Sequence, residues 1–590
     1  MKNNIQALKR LYTYIKAYRL YFILALFMTV IATITNATIP FVIGLAVTEM
    51  ANNVADIIKG IEGAAINYKY IGGVLATFIS IGLISQITQY LSISFMTNVV
   101  QGSMRNLRKD ITEKINKLPV SYFDSRKQGD ILSIVTNDVD AISNALQQSV
   151  IQIFTAILGI IFAVAMMMYI SVPMALIALL IIPLSLIVSK FIIKKSQKYF
   201  VNQQNTLGDL NGYIGEAYSG FDVIKLYGKE EDTIREFESI NDRLTQNSFK
   251  AFFVSGLMMP LVGLISNLGY ITMAVLGGYY AILGALTVGN MQAFIQYIWQ
   301  INQPISQMTQ LSNVIQTASA ATIRIFSILD EKEELAEINT AKLPSKIEGN
   351  VTFENVSFGY NKNEPLIKNL NFSIKKGDKV AIVGPTGAGK TTLINLLMRF
   401  YDIDSGSIKI DGIDTKDMKR SDVRSIFGMV LQDAWLYSSS IKDNIAFGNL
   451  DASESEIINA AKTANVDHFI RTLPDGYDTE LNEGTSNISL GQKQLLTIAR
   501  ALISNPKILI LDEATSSVDT RLELLIQKAM DAIMKGRTSF VIAHRLSTIR
   551  DADIILVMNK GSIIEQGSHD ELIEKKGFYE KLYNSQFANS

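Results

Sequence analysis

The chain contains no cysteine, which excludes disulfides and thiolate metal sites, although it leaves the compartment open because many cytosolic and bacterial proteins lack the residue too. Net charge is also missing: 55 Lys and Arg balance 55 Asp and Glu. Such a chain exerts no bulk attraction on nucleic acid, so no nucleic-acid partner is expected. The most informative absence is local. Leu20 to Thr48, Tyr70 to Met104, Ala141 to Ser189 and Ala251 to Ile323 hold no Asp, Glu, Lys or Arg at all. Uncharged apolar stretches of about 20 residues or more are membrane-span candidates. The last two are long enough for a pair of spans each, with turn-forming residues near Ile170 to Pro173 and Gly284 to Asn290. Six spans are therefore predicted, at about 20–45, 71–100, 143–169, 173–193, 252–282 and 289–320. The first is too long for a signal-peptide core and no small-residue cleavage site follows it, so it is expected to be retained.

Orientation follows from the basic residues that flank the spans. Lys2, Lys9, Arg10, Lys16 and Arg19 precede the first with no acid among them, segments 105–140 and 190–250 are rich in Lys and Arg, and segment 49–69 is slightly acidic. This pattern predicts a multi-pass protein of the cytoplasmic membrane with both termini inside. Residues 4–18 place Ile5, Leu8, Leu11, Tyr12 and Ile15 on one side, either as an amphipathic helix at the inner membrane surface or as an early start of the first span. Helical spacing continues past the membrane, from Leu107 to Leu118 before Pro119 interrupts it, and through 190–250 on either side of Ser219-Gly220. Helices that project this far can pass motion to another domain. Residues 330–348 are polar and charged and read as a linker between a membrane domain, 1–329, and a second domain, 349–590. There, short β-branched runs such as Val380 to Val383, Ile508 to Leu511 and Thr538 to Ile542 alternate with helical stretches, which predicts an α/β domain.

That second domain carries a complete G-x-x-x-x-G-K-[ST] phosphate loop: Gly384, Pro385, Thr386, Gly387, Ala388, Gly389, Lys390, Thr391, then Thr392. An apolar strand precedes it and a helical stretch follows, so backbone N–H groups at a helix N-terminus can cradle phosphate oxygens. Lys390 is expected to reach the β- and γ-phosphates of ATP, and the Thr391 hydroxyl to ligate Mg²⁺. Downstream, the run Ile508 to Leu511 ends in Asp512 and Glu513. A carboxylate at the end of a neighbouring strand can hold Mg²⁺ through its waters, which fits Asp512, and a second beside it can polarise a water for in-line attack, which fits Glu513.

Taken in order, FGY with Tyr360, the phosphate loop, LQD with Gln432, ISLGQ from Ile488 to Gln492, LDEATSSVD from Leu511 to Asp519 and AHR with His544 give the chain a family resemblance. It resembles an ATP-binding cassette (ABC) exporter half-transporter, an all-α six-helix membrane domain followed by one α/β nucleotide-binding domain, over essentially its whole length. The resemblance implies that Tyr360 stacks on adenine, that Gln432 meets Mg²⁺ and senses the γ-phosphate, that His544 contacts the γ-phosphate, and that Asp519 lies at a dimer seam. His468 and His569 lie among polar residues and are read as surface. Leu118 to Asp124 and Tyr218 to Lys225 resemble the two coupling helices, which dock on nucleotide-binding domains. One departure matters. The family's LSGGQ signature, which approaches ATP held by the opposite subunit, is here Ser489, Leu490, Gly491, Gln492 after an Ile, so a branched side chain replaces the first glycine. Close approach and φ freedom should both suffer. With Glu513 intact and the signature impaired, the chain fits one half of a heterodimer whose partner has LSGGQ and a non-Glu residue after its own strand-terminal Asp. A homodimer in which Leu490 is tolerated variation is the alternative.

The cargo is constrained mainly by what the spans lack. Without ionisable residues they offer no proton relay or buried counter-ion, which favours apolar or amphipathic small molecules. In the last span Gln292, Gln296, Gln300, Gln303, Gln307 and Gln310 recur every three or four residues and share one helix face. That face is expected to look into the bundle, either lining a passage or bonding to neighbouring helices. The reading is ATP-driven export of hydrophobic, multidrug-type compounds from a bacterial cell, with lipid or peptide export, import, and an ATP-gated channel as alternatives. A channel needs rings of charge or a selective lining, which these spans do not have.

Overall fold

The structure is a computed structural model that describes residues 2–334, 347–361, 364–431, 434–482, 487–512, 520–543 and 546–587. Within these, side chains are described except at 2–8, 181, 305–310, 312–313, 520, 546–547 and 586–587. The chain divides into two compact units, one of Met1–Lys117 with Lys127–Lys332, the other of Leu118–Arg126 with Glu333–Ser590.

The first unit is helical throughout. Its elements are α1 (Lys2–Lys16), α2 (Arg19–Ile58), α3 (Tyr68–Ile115), then, after α4 (Val120–Asp124) of the other unit, α5 (Gln128–Ser133), a π-helical turn at Ile134–Asp138, α6 (Val139–Ile170), α7 (Val172–Leu179), α8 (Ile181–Ser219), α9 (Phe221–Tyr227), α10 (Glu230–Gly256), α11 (Met258–Ile282) and α12 (Val288–Leu329). Among the described residues, five helical stretches, Arg19–Ile58, Tyr68–Ile115, Gln128–Ile170, Val172–Ser219 and Glu230–Ile282, are long and apolar enough to cross a membrane. The helix α12 runs for 42 residues with Pro304 in its interior. Breaks fall where the backbone chemistry asks for them: Ser171 is extended before Pro173, and Gly220 ends α8. Two further breaks, at Leu180 and Leu257, divide stretches that the periodicity reads as continuous. Pro260, in the first turn of α11, is tolerated there because its missing N–H has no intrahelical partner to lose.

Packing in this unit relies on small and hydroxyl residues, as expected where lipid removes the hydrophobic drive between helices. The helices α2 and α12 meet at Gly44 and Gly289, where a Cβ on Gly289 would lie 1.7 Å from the Gly44 carbonyl oxygen. Beside them the Thr48 hydroxyl donates to Thr287 Oγ1 at 2.9 Å and accepts from the Gly289 N–H at 3.2 Å. Asn302, 3% exposed, ties three helices together, accepting from Ser185 of α8 at 2.9 Å and donating to Ser266 of α11 at 2.7 Å. At the charged end, Arg324 grips the buried Asp138 of the π-helical turn through two bonds of 2.6 and 2.8 Å. The helix α1 is separate from α2, and Leu11 and Ile15 of its apolar side are buried against protein. Arg10 pairs with Asp330 at the end of α12 and lies over the Phe326 ring.

The second unit contains two sheets. An antiparallel sheet has the order β2-β1-β4-β5, with β1 (Val351–Phe358), β2 (Ile367–Ile374), β4 (Ser405–Ile410) and β5 (Ile413–Asp414). A six-stranded sheet has the order β10-β9-β3-β8-β7-β6, with β3 (Lys379–Val383), β6 (Phe427–Val430), β7 (Ile508–Asp512), β8 (Thr538–Ile542), β9 (Ile554–Asn559) and β10 (Ser562–Gly567). All its pairings are parallel except β9 with β10. The central strands read as continuous apolar runs because both faces are covered, and β8 is buried at every residue. Apolar residues of both sheets share a core with the helix α13 (Lys390–Leu397), which follows β3. In a sheet of this kind ligands bind beyond the carboxyl ends of the strands. Both the phosphate loop and Asp512 lie at that end.

Candidate functional site

The phosphate loop is shaped by two glycines that nothing else could replace. Gly384 has φ 155°, and a Cβ there would lie 2.2 Å from the Met558 carbonyl oxygen of β9. Gly389 has φ 101° and caps α13, where a Cβ would meet Ile367 at 3.0 Å. The cradle thus depends on absent side chains, and its N–H groups at a helix start suit a polyphosphate. Lys390 folds over the loop, donating to the Gly384 and Pro385 carbonyls at 2.8 and 3.1 Å. Burial pushes its ammonium pKa down, and the charge of Asp512 opposes that. Pro385, Thr386, Gly387 and Thr391 are open to solvent to varying degrees, whereas Ala388 and Thr392 are buried. The Thr392 hydroxyl is 3.2 Å from the Tyr360 hydroxyl. Tyr360 itself is 51% exposed, leaving ring surface free for a planar ligand. Its ring is held edge-on by Phe358 and Tyr401, each with its centroid 5.1 Å away. Tyr401 in turn donates to Asp124, at the end of α4.

Asp512 closes β7 opposite Ile542 of β8. Gln432, Glu513, Asp519 and His544 lie outside the described residues. The signature is described from Asn487 onward. Ser489 caps the helix Leu490–Ile503 in a reciprocal capping box, accepting from Gln492 N–H while the Gln492 side chain accepts from Ser489 N–H at 2.8 Å. Leu490 is the first helical residue, and it is not among the residues with positive φ. The expected loss of φ freedom is therefore corrected: no special backbone conformation is needed at 490. What remains is bulk, since Leu490 projects 43% exposed from the N-terminus while Gly491 behind it is buried.

In the helical unit α2, α3, α6 and α12 line an open cavity of about 480 Å³ whose lining includes Gln300 and Gln303. A second cavity, of about 380 Å³, adds Gln296 and Trp299 and shares Asn36, Gln300 and Gln303 with the first. Gln292 is in neither lining, and the side chain of Gln307 is outside the described set. The sequence reading missed Gln89 of α3 and Gln147, Gln148 and Gln152 of α6, which face the same space. Their signal was available as carboxamides inside uncharged stretches.

The ABC transporter transmembrane region family matches residues 22–305, and the ABC transporter family matches residues 367–516. A fatty acid ABC transporter ATP-binding/permease protein of Mycobacterium bovis is 46% identical over 534 residues, 90% of this chain and 84% of that one. The chain is an ABC half-transporter. An ATP-dependent lipid A-core flippase of Syntrophus aciditrophicus is 36% identical over 499 residues, 84% of the half-transporter and 83% of the flippase. The structure of a bacterial Atm1-family ABC exporter with ATP bound superposes with a TM-score of 0.76 at 28% identity, covering 96% of this chain and 98% of that one. The half-transporter is accordingly a multi-pass membrane protein of the exporter fold that binds ATP, hydrolyses it to drive transport and works as a dimer.

Other residues of the half-transporter came to light only in three dimensions. Arg500, on the signature helix, donates to the Asn444 carbonyl and side chain and to the Trp435 carbonyl at 2.9 to 3.0 Å, linking that helix to the segment just after Gln432. Burial pushes its guanidinium pKa down. His569 is not a free surface residue as expected: its ring is 2.7 Å from the buried Tyr579 hydroxyl. Of the two segments resembling coupling helices, Leu118 to Asp124 contains α4, and Tyr218 to Lys225 spans the turn into α9. The helix α9 buries nothing within its own unit, and Tyr218, Leu226 and Tyr227 are 84%, 78% and 71% exposed.

Proposed function

We propose that this half-transporter exports hydrophobic or amphipathic compounds, of multidrug type, across the cytoplasmic membrane by alternating access, as one half of a heterodimer. The observation that carries the reading is one chain joining an intact phosphate loop and β7 acid to a membrane cavity without a charged residue. In this reading residues 1–329 supply six spans, from α2, α3, α6, α7–α8, α10–α11 and α12, and both termini are cytoplasmic. Tyr360 stacks on adenine, the loop N–H groups and Lys390 hold the phosphates, and Thr391, Gln432 and Asp512 hold Mg²⁺, which neutralises charge on the phosphate oxygens. Glu513 accepts a proton from the attacking water, with His544 and Gln432 at the γ-phosphate and Asp519 at the seam. Ser489, Leu490, Gly491 and Gln492 face the partner's ATP, and the exposed apolar end around α9 docks on the partner. Leu490 supports a partner with an intact LSGGQ and a non-Glu residue after its strand-terminal Asp. The relatives named for a fatty acid and for lipid A-core favour a lipid-like amphiphile as a second reading of the cargo.

Glu513→Gln is expected to lower ATPase activity by on the order of 10² or more while ATP still binds, because it removes the general base. Paired measurements of nucleotide binding and phosphate release check this, and near-normal turnover would refute the role.

A further inference from the structure

We propose that the cavity between α2, α3, α6 and α12 selects amphiphiles whose headgroup is neutral and rich in hydroxyls, such as a glycosylated lipid, over those with anionic or cationic heads. This rests on the export reading above and adds the class of headgroup. Among the described residues twenty line the cavity; six are glutamines, Gln89, Gln147, Gln148, Gln152, Gln300 and Gln303, and none is charged. All lie inside stretches that hold no Asp, Glu, Lys or Arg, so no nearby residue in the chain brings a counter-ion to that depth.

Four wall hydroxyls are already engaged. Thr29 donates to the Ala25 carbonyl at 2.8 Å, Thr33 to the Thr29 carbonyl at 2.7 Å, Ser92 to the Ala25 carbonyl at 2.9 Å and Ser85 to the Ala32 carbonyl at 3.3 Å. Among the carboxamides, Gln147 donates to Thr97 Oγ1 at 3.3 Å and Gln300 to the Asn36 carbonyl at 3.5 Å, while Gln89, Gln148 and Gln303 are exposed. Each carboxamide presents two donors on nitrogen and an acceptor on oxygen. A hydroxyl also donates and accepts, so a polyol can satisfy both ends of every amide it meets. A carboxylate or fully ionised phosphate only accepts, so it can be met by the amide N–H groups alone, leaves the amide oxygens without a donor, and finds no cation in this lining. A trimethylammonium group offers no N–H or O–H donor, and among the described residues the lining has neither an acid nor an aromatic ring to receive it. A site built to bond hydroxyls rejects analogues that lack them because its own polar groups are left unpaired. Ile93, Ile151 and Leu311 give the same wall an apolar strip for the tail.

The test uses the full chain, with whatever half co-purifies with it, in proteoliposomes carrying fluorescent lipids with identical acyl chains and three heads: glucosyl-diacylglycerol, phosphatidic acid, and a diacyl trimethylammonium-propane. ATP-dependent movement between leaflets is followed by dithionite quenching. The glucosyl lipid is expected to move at least about tenfold faster than either charged lipid. Gln300→Leu with Gln303→Leu should bring that ratio close to one. If this pair does not assemble, Gln303→Lys serves instead, and is expected to speed phosphatidic acid at least about threefold relative to the glucosyl lipid. Faster movement of a charged lipid, or ratios unchanged in the variants, overturns the headgroup assignment while leaving export intact. Movement of no lipid during ATP hydrolysis overturns the export reading and the assignment with it.

Discussion

Leu490 and Asp411 show how a single side chain sets the behaviour of the nucleotide-binding unit. Leu490 adds bulk at the start of the signature helix, 43% exposed, where the family has hydrogen. In a heterodimer that signature serves a site which also lacks its general base, so Leu490→Gly is expected to leave steady-state turnover within about twofold. A large rise in turnover on that substitution would instead indicate two identical, equally hindered sites, as a homodimer requires. Asp411 is in the left-handed region, with φ 48°. It accepts from the N–H groups of Glu348 and Asn350 at 2.8 Å, from Gly349, and from the Asn350 side chain at 2.8 Å. Burial alone would push its pKa up, but the bonds from Asn350, Gly349 and Glu348 outweigh it and the carboxyl titrates below its usual range. A depressed folded-state pKa contributes stability above the unfolded value, about 3.9, that is lost as pH falls through the folded value. Asp411→Asn tolerates the same backbone but places an amide among donors, so it is expected to cost about 1–3 kcal/mol at pH 7. Thermal melts of the full chain should show that difference shrinking below about pH 4; a gap independent of pH would assign the effect to shape and not to charge.

Among whole elements, the contact of α2 with α12 is the most constrained in the membrane unit. Gly44 and Gly289 bring the two backbones together, with the Thr48 and Thr287 hydroxyls beside them. Gly289→Leu cannot be accommodated without parting the helices, and α12 is the helix that carries Gln296, Gln300 and Gln303. The expected outcome is a melting temperature lowered by several degrees, together with loss of substrate-stimulated ATPase and retention of basal ATP binding. A variant with normal melting and normal stimulation would show that the close approach is not needed. At the other end of α12, Arg324 and Asp138 hold the π-helical turn at the start of α6. The two contacts fix α12 at both ends of its course, so the glutamine face between them is presented on a supported helix.

For the molecule as a whole, ATP binding and membrane passage are built from different kinds of signal, and this decides what could be read in advance. The uncharged stretches reveal apolar helices because lipid excludes charge over a fixed thickness, and the phosphate loop is legible because glycine alone fits φ 155° at Gly384. Breaks at Leu180 and Leu257 each fall three residues before a proline, Pro183 and Pro260, so their signal was present in the sequence as prolines inside uncharged stretches. The stripe Gln296, Gln300, Gln303 could be seen from its period along one helix, but its counterparts Gln89, Gln147, Gln148 and Gln152 come from two other helices and meet it only on folding. Likewise, Tyr360 was expected to stack on adenine, yet its support by Phe358 of the same FGY run and by Tyr401, which belongs to no motif, is made only on folding.

The central claim is that ATP hydrolysis by this half-transporter moves an amphiphile uphill. Its most direct test is accumulation of a labelled amphiphile in inside-out vesicles containing the assembled protein, followed with ATP and with a non-hydrolysable analogue. The account predicts concentration of the label above its outside level with ATP alone, abolished by Glu513→Gln. Equilibration that persists without hydrolysis, and never rises above the outside level, would contradict it.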